Sequence, residues 1–183
     1  MILARHAESE WNFHFGRTRI DPGIPDPPLT PAGRAQAKRL TDELAAEGVI
    51  RLITSPYRRA LETATIIATS LDLPITIDPL VRERHAFSCD VGSPPSTLRR
   101  QWPDLSFDHL HEQWWGSKDE THASVEERCV AFHAKTADLP SRAQIAVISH
   151  WGFIRAMTGH ELSNARFVRL DAADRPPTRD NVS

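Results

Sequence analysis

The chain has 183 residues, 40% of them hydrophobic and 25% charged, which is typical of a globular protein with a sizeable core. Its formal net charge of −2 gives no indication of nucleic-acid binding, so any anion site must come from a local cluster of arginines. No apolar run approaches the ~20 residues of a membrane span, and Arg5 and His6 interrupt the apolar N-terminus too early for a signal peptide. These features predict a cytoplasmic protein that contacts neither nucleic acid nor membrane.

Four short apolar stretches are predicted β-strands, at residues 2–4, 49–54, 75–77 and 145–149. The second and the fourth are nearly continuous runs that are rich in β-branched residues. Such runs are typical of strands that are covered on both faces. The sheet is therefore expected to lie inside the protein, with helices on either side.

Three helical patterns accompany these strands. The first has Thr30 as its predicted N-cap and Pro31 at its first helical position. The second spans residues 60–71, where apolar side chains recur at helical spacing, and the third begins near Ser124. Residues 13–28 are expected to form a loop.

The alternation of strands and helices predicts an α/β fold, a three-layer α/β/α sandwich with a mostly parallel central sheet. Residues 84–122 interrupt this alternation, because they are rich in His, Trp and Pro and show no clean period. We expect them to form an inserted cap of short helices and loops over one end of the sheet. One domain is predicted over residues 1–170, followed by a flexible tail at residues 171–183.

Neither the cysteines nor the closely spaced histidines indicate a metal or disulfide site. Cys89 and Cys129 lack the spacing of a disulfide framework or a zinc ribbon and are interpreted as small buried side chains. His109 and His111 have no third ligand at a convincing spacing. We therefore predict no bound metal and no cofactor.

Residues that carry chemistry follow each predicted strand. These residues include Arg5, His6, Arg58, Arg59, Arg82, Glu83 and His150. Because ligands bind beyond the carboxyl ends of parallel strands, two arginines, two histidines and a glutamate are expected to converge there if the strands are parallel neighbours. Guanidinium groups match phosphate oxygens, a neutral histidine can attack phosphorus, and a carboxyl group of raised pKa can protonate a leaving alkoxide. The set predicts phosphoryl transfer.

Four segments occur in a familiar order and approximate spacing: "RHAESEWN", "SPYRRALETA", "RERHAF" and "ISHWG". Over roughly residues 1–170 the chain thereby resembles the histidine phosphatase superfamily, the phosphoglycerate-mutase-like proteins. The resemblance implies that His6 is the nucleophile that becomes phosphohistidine and that Glu83 is the proton donor. It also implies a phosphate pocket made of the other matched residues: Arg5, Asn12, Arg59 and His150.

Some positions leave alternatives open or depart from the family pattern. Arg59 is preferred over its neighbour Arg58, because it directly precedes the A-x-x-T-A part of the motif. Ala7 stands where the family usually has glycine, and we expect that this position needs only a small side chain and no positive φ. Trp151 is expected to form pocket wall, whereas Glu83 could instead belong to an ordinary ion pair with a neighbouring basic residue.

The predicted function is that of a metal-independent phosphatase that hydrolyses phosphomonoesters. A cofactor-dependent phosphoglycerate mutase and a catalytically weak module that binds phosphorylated ligands remain alternatives. The expected partner is a small phosphorylated molecule, with a phosphopeptide possible. The sequence determines neither the individual substrate nor the oligomeric state.

Overall fold

A computed structural model of the chain describes residues 1–117 and 119–171. Its strands form one five-stranded sheet in the order β3-β2-β4-β1-β5, in which β5 runs antiparallel and the others run parallel. The bounds are β1 Ile2–Arg5, β2 Arg51–Thr54, β3 Ile75–Ile77, β4 Ile145–Ser149 and β5 Phe167–Arg169. The four predicted strands are confirmed. The fifth was not predicted, because it has three residues at a sheet edge, none of them fully buried.

Six α-helices accompany the sheet among the described residues. They are α1 Glu10–Thr18, α2 Pro31–Ala46, α3 Arg58–Leu71, α4 Pro95–Gln101, α5 His122–Thr136 and α6 Trp151–Thr158. None of them is long and apolar enough to cross a membrane. The three predicted helices are α2, α3 and α5, and the last two begin two residues before the predicted position.

The local sequence explains why the start of α2 was predicted and why α1 was not. The backbone N–H of Gly33 donates to Thr30 Oγ1 over 2.9 Å, and Pro31 occupies the first turn, as predicted. Residues 13–28 were expected to form a loop, and this is wrong for residues 13–18, which belong to α1. Helix α1 buries only Trp11, so its apolar residues form no regular stripe, and its start is a Ser9–Asn12 capping box.

The two faces of the sheet pack against different helices. On one face α2 and α3 cover β1, β2 and β4, with Leu40, Ala64 and Ile148 among the buried contacts. On the other face α5 and α6 cover the same strands, with Phe132 and Phe153 in the core. The three-layer α/β/α sandwich is thereby confirmed.

The segment 84–122 caps the sheet near the ends of β2 and β3, as predicted. It contains α4 and packs a separate apolar cluster against the start of α3 and the end of β3: Tyr57, Leu61, Ile77, Leu98, Phe107, Leu110 and Trp114. Cys89 and Cys129 are free and buried, in agreement with their interpretation. The predicted tail stays a prediction, because residues 172–183 lie outside the described residues.

A glycine in α2 holds the loop that follows β1. A Cβ atom at Gly33 would lie 2.0 Å from the carbonyl oxygen of Glu8, and that oxygen accepts a hydrogen bond from the backbone N–H of Thr30. Close backbone packing of this kind admits no side chain. The loop after β1 that contains Glu8 is therefore packed tightly against the start of α2.

We expect Gly33→Ala to lower the free energy of unfolding by about 2 kcal/mol, because the added methyl group must push the Glu8 backbone away. Urea denaturation of the variant and the wild type measures the loss. Gly16→Ala is the control, since no atom of the described residues lies within 4 Å of a Cβ atom at that helical position. Equal unfolding midpoints for Gly33→Ala and the wild type would contradict the packing described here.

Candidate active site

A cavity of about 1160 Å³ opens beside the carboxyl ends of β1 and β4. Six of the seven predicted site residues line it: Arg5, His6, Asn12, Arg59, Glu83 and Trp151. Parallel pairing sets Arg5 of β1 opposite Ser149 of β4, so the next residues along the two strands, His6 and His150, lie side by side. The sheet thus brings motifs from distant parts of the chain together.

His6 is held in one tautomer. Its Nδ1 lies 2.7 Å from the carbonyl oxygen of Ala7. Because a carbonyl oxygen can only accept, Nδ1 carries the proton and the lone pair is on Nε2. Burial, followed by the positive charges of Arg59 and Arg5, holds the pKa of His6 well below its usual range. The imidazole is therefore neutral and nucleophilic at Nε2.

Ala7 fits its position without backbone strain. It is fully buried and does not adopt a positive φ. Its N–H donates to Thr63 Oγ1 over 3.1 Å, while its carbonyl receives the His6 bond. The expectation that this position needs only a small side chain is consistent with this geometry.

Arg59, at the start of α3, forms hydrogen bonds to the cap segment. Its side chain is 3% exposed and donates to the Cys89 carbonyl oxygen over 2.7 Å and to Asp90 Oδ1 over 3.1 Å. The guanidinium lies 4.4 Å from the centre of the Tyr57 ring. Arg58, by contrast, pairs with Glu62 on the same helix. The structure therefore places Arg59, and not Arg58, at the cavity.

Arg5 supplies the second guanidinium of the site. Its Nη1 donates to the carbonyl oxygen of Leu162 over 2.8 Å, and its buried Nε has no hydrogen-bond partner within the described residues. Arg59 shares its charge with Asp90, but no ion pair to Arg5 occurs in the described part of the chain. The cavity therefore carries positive charge that an anion can neutralise.

Glu83 is a half-buried carboxyl group that forms no ion pair within the described residues. The backbone N–H of Gly152, in the first turn of α6, donates to both of its oxygens over 2.9 and 3.1 Å, and that of Arg84 donates over 2.8 Å. Burial, followed by the negative charge of Asp90, raises the pKa of Glu83. The alternative of an ion pair is not observed, since neighbouring Arg82 pairs with Glu120.

His150 lies directly behind His6. The two ring centres are 5.0 Å apart, and His150 Nε2 lies 2.8 Å from Ser55 Oγ. The ring is fully buried, so it does not contribute to the cavity surface. Burial, followed by the charge of Arg59, lowers the pKa of His150 well below its usual range. Its direct contact with a phosphate stays a prediction.

Asn12 and Trp151 both line the cavity. The Oδ1 atom of Asn12 accepts from the Ser9 N–H and from Asn164 Nδ2, each over 3.1 Å, which leaves its own amide group as a donor. Asn164 also donates to the His6 carbonyl oxygen over 3.1 Å. Trp151 begins α6, and the Arg155 guanidinium lies 5.2 Å from its ring centre.

Three residues of the site were not found from the sequence. Asp90, in the aperiodic cap, orients Arg59, and Asn164 joins Asn12 to the His6 backbone. Gly152 leaves room for Glu83, since a Cβ atom there would lie 2.4 Å from Glu83 Oε1. The glycine after Trp151 was the available signal for this close approach. No local pattern indicates the other two.

Comparison with known proteins identifies relatives named as phosphoglycerate mutases and as a phosphoserine phosphatase. A probable phosphoglycerate mutase GpmB of Photorhabdus laumondii is 39% identical over 85 residues, which cover 46% of this chain and 38% of that protein. Phosphoserine phosphatase 1 of Hydrogenobacter thermophilus is 29% identical over 171 residues, 86% of this chain and 73% of that protein. The chain thus spans well under half of the first relative and about three quarters of the second.

A solved structure shows the same fold, and a family model identifies the superfamily. A mycobacterial glucosyl-3-phosphoglycerate phosphatase has the same fold, with a TM-score of 0.64 and 19% identity over 91% of this chain and 88% of that chain. The family model of the histidine phosphatase superfamily (branch 1) matches residues 1–175. Because this match spans nearly all of the 183 residues, the chain belongs to the histidine phosphatase superfamily, as its four motifs predicted.

Proposed function

We propose that this protein is a phosphomonoesterase that hydrolyses small phosphorylated molecules through a phosphohistidine at His6. One observation carries the proposal: the bond from His6 Nδ1–H to the Ala7 carbonyl directs the lone pair of Nε2 to a cavity that Arg5 and Arg59 also line. Two guanidinium groups supply the charge stabilisation that phosphoryl transfer needs, so the proposed mechanism requires no metal ion.

In the first step His6 Nε2 attacks phosphorus. The N–P bond forms, the bond from phosphorus to the ester oxygen breaks, and the Glu83 carboxyl group gives its proton to the departing alkoxide. Arg5 and Arg59 stabilise the three equatorial oxygens while negative charge redistributes. The alcohol leaves, and Glu83 is then a carboxylate.

In the second step the Glu83 carboxylate removes a proton from water, and the water oxygen attacks the phosphohistidine. The N–P bond breaks, inorganic phosphate is released, and the lone pair of His6 and the proton of Glu83 are both restored. The raised pKa of Glu83 suits both steps, because the group must lose and regain a proton in each cycle.

The remaining residues orient the substrate and the nucleophile. Asn12, whose Nδ2 donates no hydrogen bond to any described residue, and the ring of Trp151 are assigned to substrate binding, since both line the cavity. His150 supports the ring of His6 from behind through their contact. The substrate class follows from the named activities of relatives on phosphoserine and on glucosyl-3-phosphoglycerate, and a phosphorylated peptide side chain has the same chemistry.

A phosphoglycerate mutase is the second candidate, favoured by relatives that carry this name. A mutase returns the phosphoryl group of the phosphohistidine to a second hydroxyl group instead of to water. Incubation with 3-phosphoglycerate separates the two activities: isomerisation without phosphate release indicates the mutase, whereas phosphate release indicates the phosphatase.

We expect His6→Ala to reduce phosphate release by about a thousandfold or more, because it removes the attacking nitrogen. The assay uses a panel of sugar phosphates, nucleotides and phosphopeptides without added metal. His14→Ala, which alters an exposed histidine of α1, is the control and keeps full activity. Full activity of His6→Ala, or vanadate binding by a wild-type protein that releases no phosphate, would refute the proposal.

The pKa shifts of His6 and Glu83 predict a bell-shaped pH profile of kcat/KM for alkyl phosphates. Activity falls on the acid side when His6 is protonated, at a pKa well below 6.5, and on the alkaline side when Glu83 loses its proton, at a pKa above 4.5. We therefore expect the optimum on the acid side of neutrality. Nitrophenyl phosphate, whose leaving group needs no proton, should lack the alkaline limb that Glu83 causes.

Two variants test whether Glu83 causes the alkaline limb of the pH profile. Glu83→Gln should slow alkyl phosphates by about 100-fold and nitrophenyl phosphate far less, since general acid catalysis contributes about that factor. Gly152→Ala should act in the same direction, because its methyl group displaces the carboxyl group. Equal losses on both substrate types would remove Glu83 from its role.

A further inference from the structure

The cavity is larger than a phosphate group requires. Its volume of about 1160 Å³ is slightly above the range of ordinary ligand pockets, which measure roughly 300–1000 Å³. The phosphoryl group is bound at the floor by Arg5, His6 and Arg59 in the proposed function. The rest of the cavity is therefore available to the alcohol portion of the ester, and its walls determine which alcohols fit.

One wall of this cavity consists of three aromatic rings. Trp11 and Phe15 lie on α1, and Phe87 belongs to the cap segment. The ring centres are 4.4 Å apart for Trp11 and Phe15, 5.1 Å for Trp11 and Phe87, and 5.4 Å for Phe15 and Phe87. Phe87 is 43% exposed, so part of this wall is open to a ligand.

Asp21 fixes the rings across the gap between α1 and the cap. Its Oδ1 accepts from Trp11 Nε1 over 2.9 Å, and its Oδ2 accepts from the backbone N–H of Ser88 over 2.8 Å. Burial raises the pKa of Asp21, but hydrogen bonds from Ser88, Gly23 and Trp11 outweigh this and lower it to about 2. The charged carboxylate thus holds the wall in place at working pH, before any substrate binds.

We propose that the preferred substrates carry a planar aromatic ring in their alcohol portion, which packs against Trp11, Phe15 and Phe87. This inference rests on the proposed function, because the phosphate must lie at His6 for the rest of the ester to reach the wall. Aromatic faces and edges attract another aromatic ring beyond the simple burial of apolar area. A saturated ring of the same size would bury its surface there but lack this attraction.

Calorimetric titration with two phosphonates tests the proposal without any turnover. Benzylphosphonate and cyclohexylmethylphosphonate share the anionic group and nearly the same size, and differ in aromaticity. We expect the wild type to bind the benzyl compound about fivefold more tightly, the size of one aromatic pair contact. Equal affinities would overturn the proposal.

Two variants test which side chain causes the preference for the benzyl compound. Phe87→Leu should reduce the fivefold difference measurably, because it removes the most exposed of the three rings, and because this side chain is half-exposed the variant should keep its thermal midpoint. Phe13→Leu is the matched control: Phe13 is also exposed, on α1, but contacts Arg17 and lies outside the cavity, so the preference should persist. A preference that stays fully fivefold in Phe87→Leu would overturn the assignment of the wall.

Hydrolysis distinguishes this inference from the proposed function. Phenylethyl phosphate should be hydrolysed with a kcat/KM about fivefold higher than cyclohexylethyl phosphate, since the two leaving groups are equally basic. Phosphate release from both at equal rates, with equal phosphonate affinities, would overturn the aromatic wall and leave the phosphatase intact. A binding preference without phosphate release would overturn the phosphatase and support the wall.

Discussion

The buried ion pair between Arg59 and Asp90 is the interaction on which the site depends. It joins the first turn of α3 to the cap segment, and Asp90 Oδ2 in turn accepts from the backbone N–H groups of Ala86 and Phe87. Both side chains are almost fully buried, so loss of either partner would strand a charge at a cost of about 3–5 kcal/mol. The pair thus fixes the cap over the sheet and orients a guanidinium at the cavity.

The same two charges shift the pKa values of the proposed nucleophile and the proposed acid in opposite directions. The positive charge of Arg59 adds to burial in lowering the pKa of His6, whereas the negative charge of Asp90 adds to burial in raising that of Glu83. Two titratable groups in one cavity therefore shift in opposite directions, a pattern that is typical of acid–base pairs in catalysis. These opposite pKa shifts favour the coexistence of a neutral imidazole and a protonated carboxyl group, which the proposed first step requires.

The sequence predicted those parts of the protein that local rules govern. Strand ends located His6 and Glu83, the Thr30 cap and Pro31 located α2, and the order of motifs indicated the family. Contacts between distant segments were not predictable: nothing near Asp90 shows that it faces Arg59, and Gly152 acquires its importance only from the approach of Glu83. Helix α1 was not predicted for a different reason: Trp11 and Phe15 face the cavity and the cap, Phe13 is exposed, and its apolar residues therefore form no stripe toward the core.

In the proposed mechanism the phosphoryl group is transferred to His6 before it reaches water. Stereochemistry at phosphorus tests this most directly, with a phosphorothioate ester made chiral by oxygen isotopes and hydrolysed in isotopically labelled water. Two successive in-line displacements, first by His6 and then by water, each invert the configuration at phosphorus, so we expect overall retention. Overall inversion would show a single direct attack by water and would rule out the phosphohistidine.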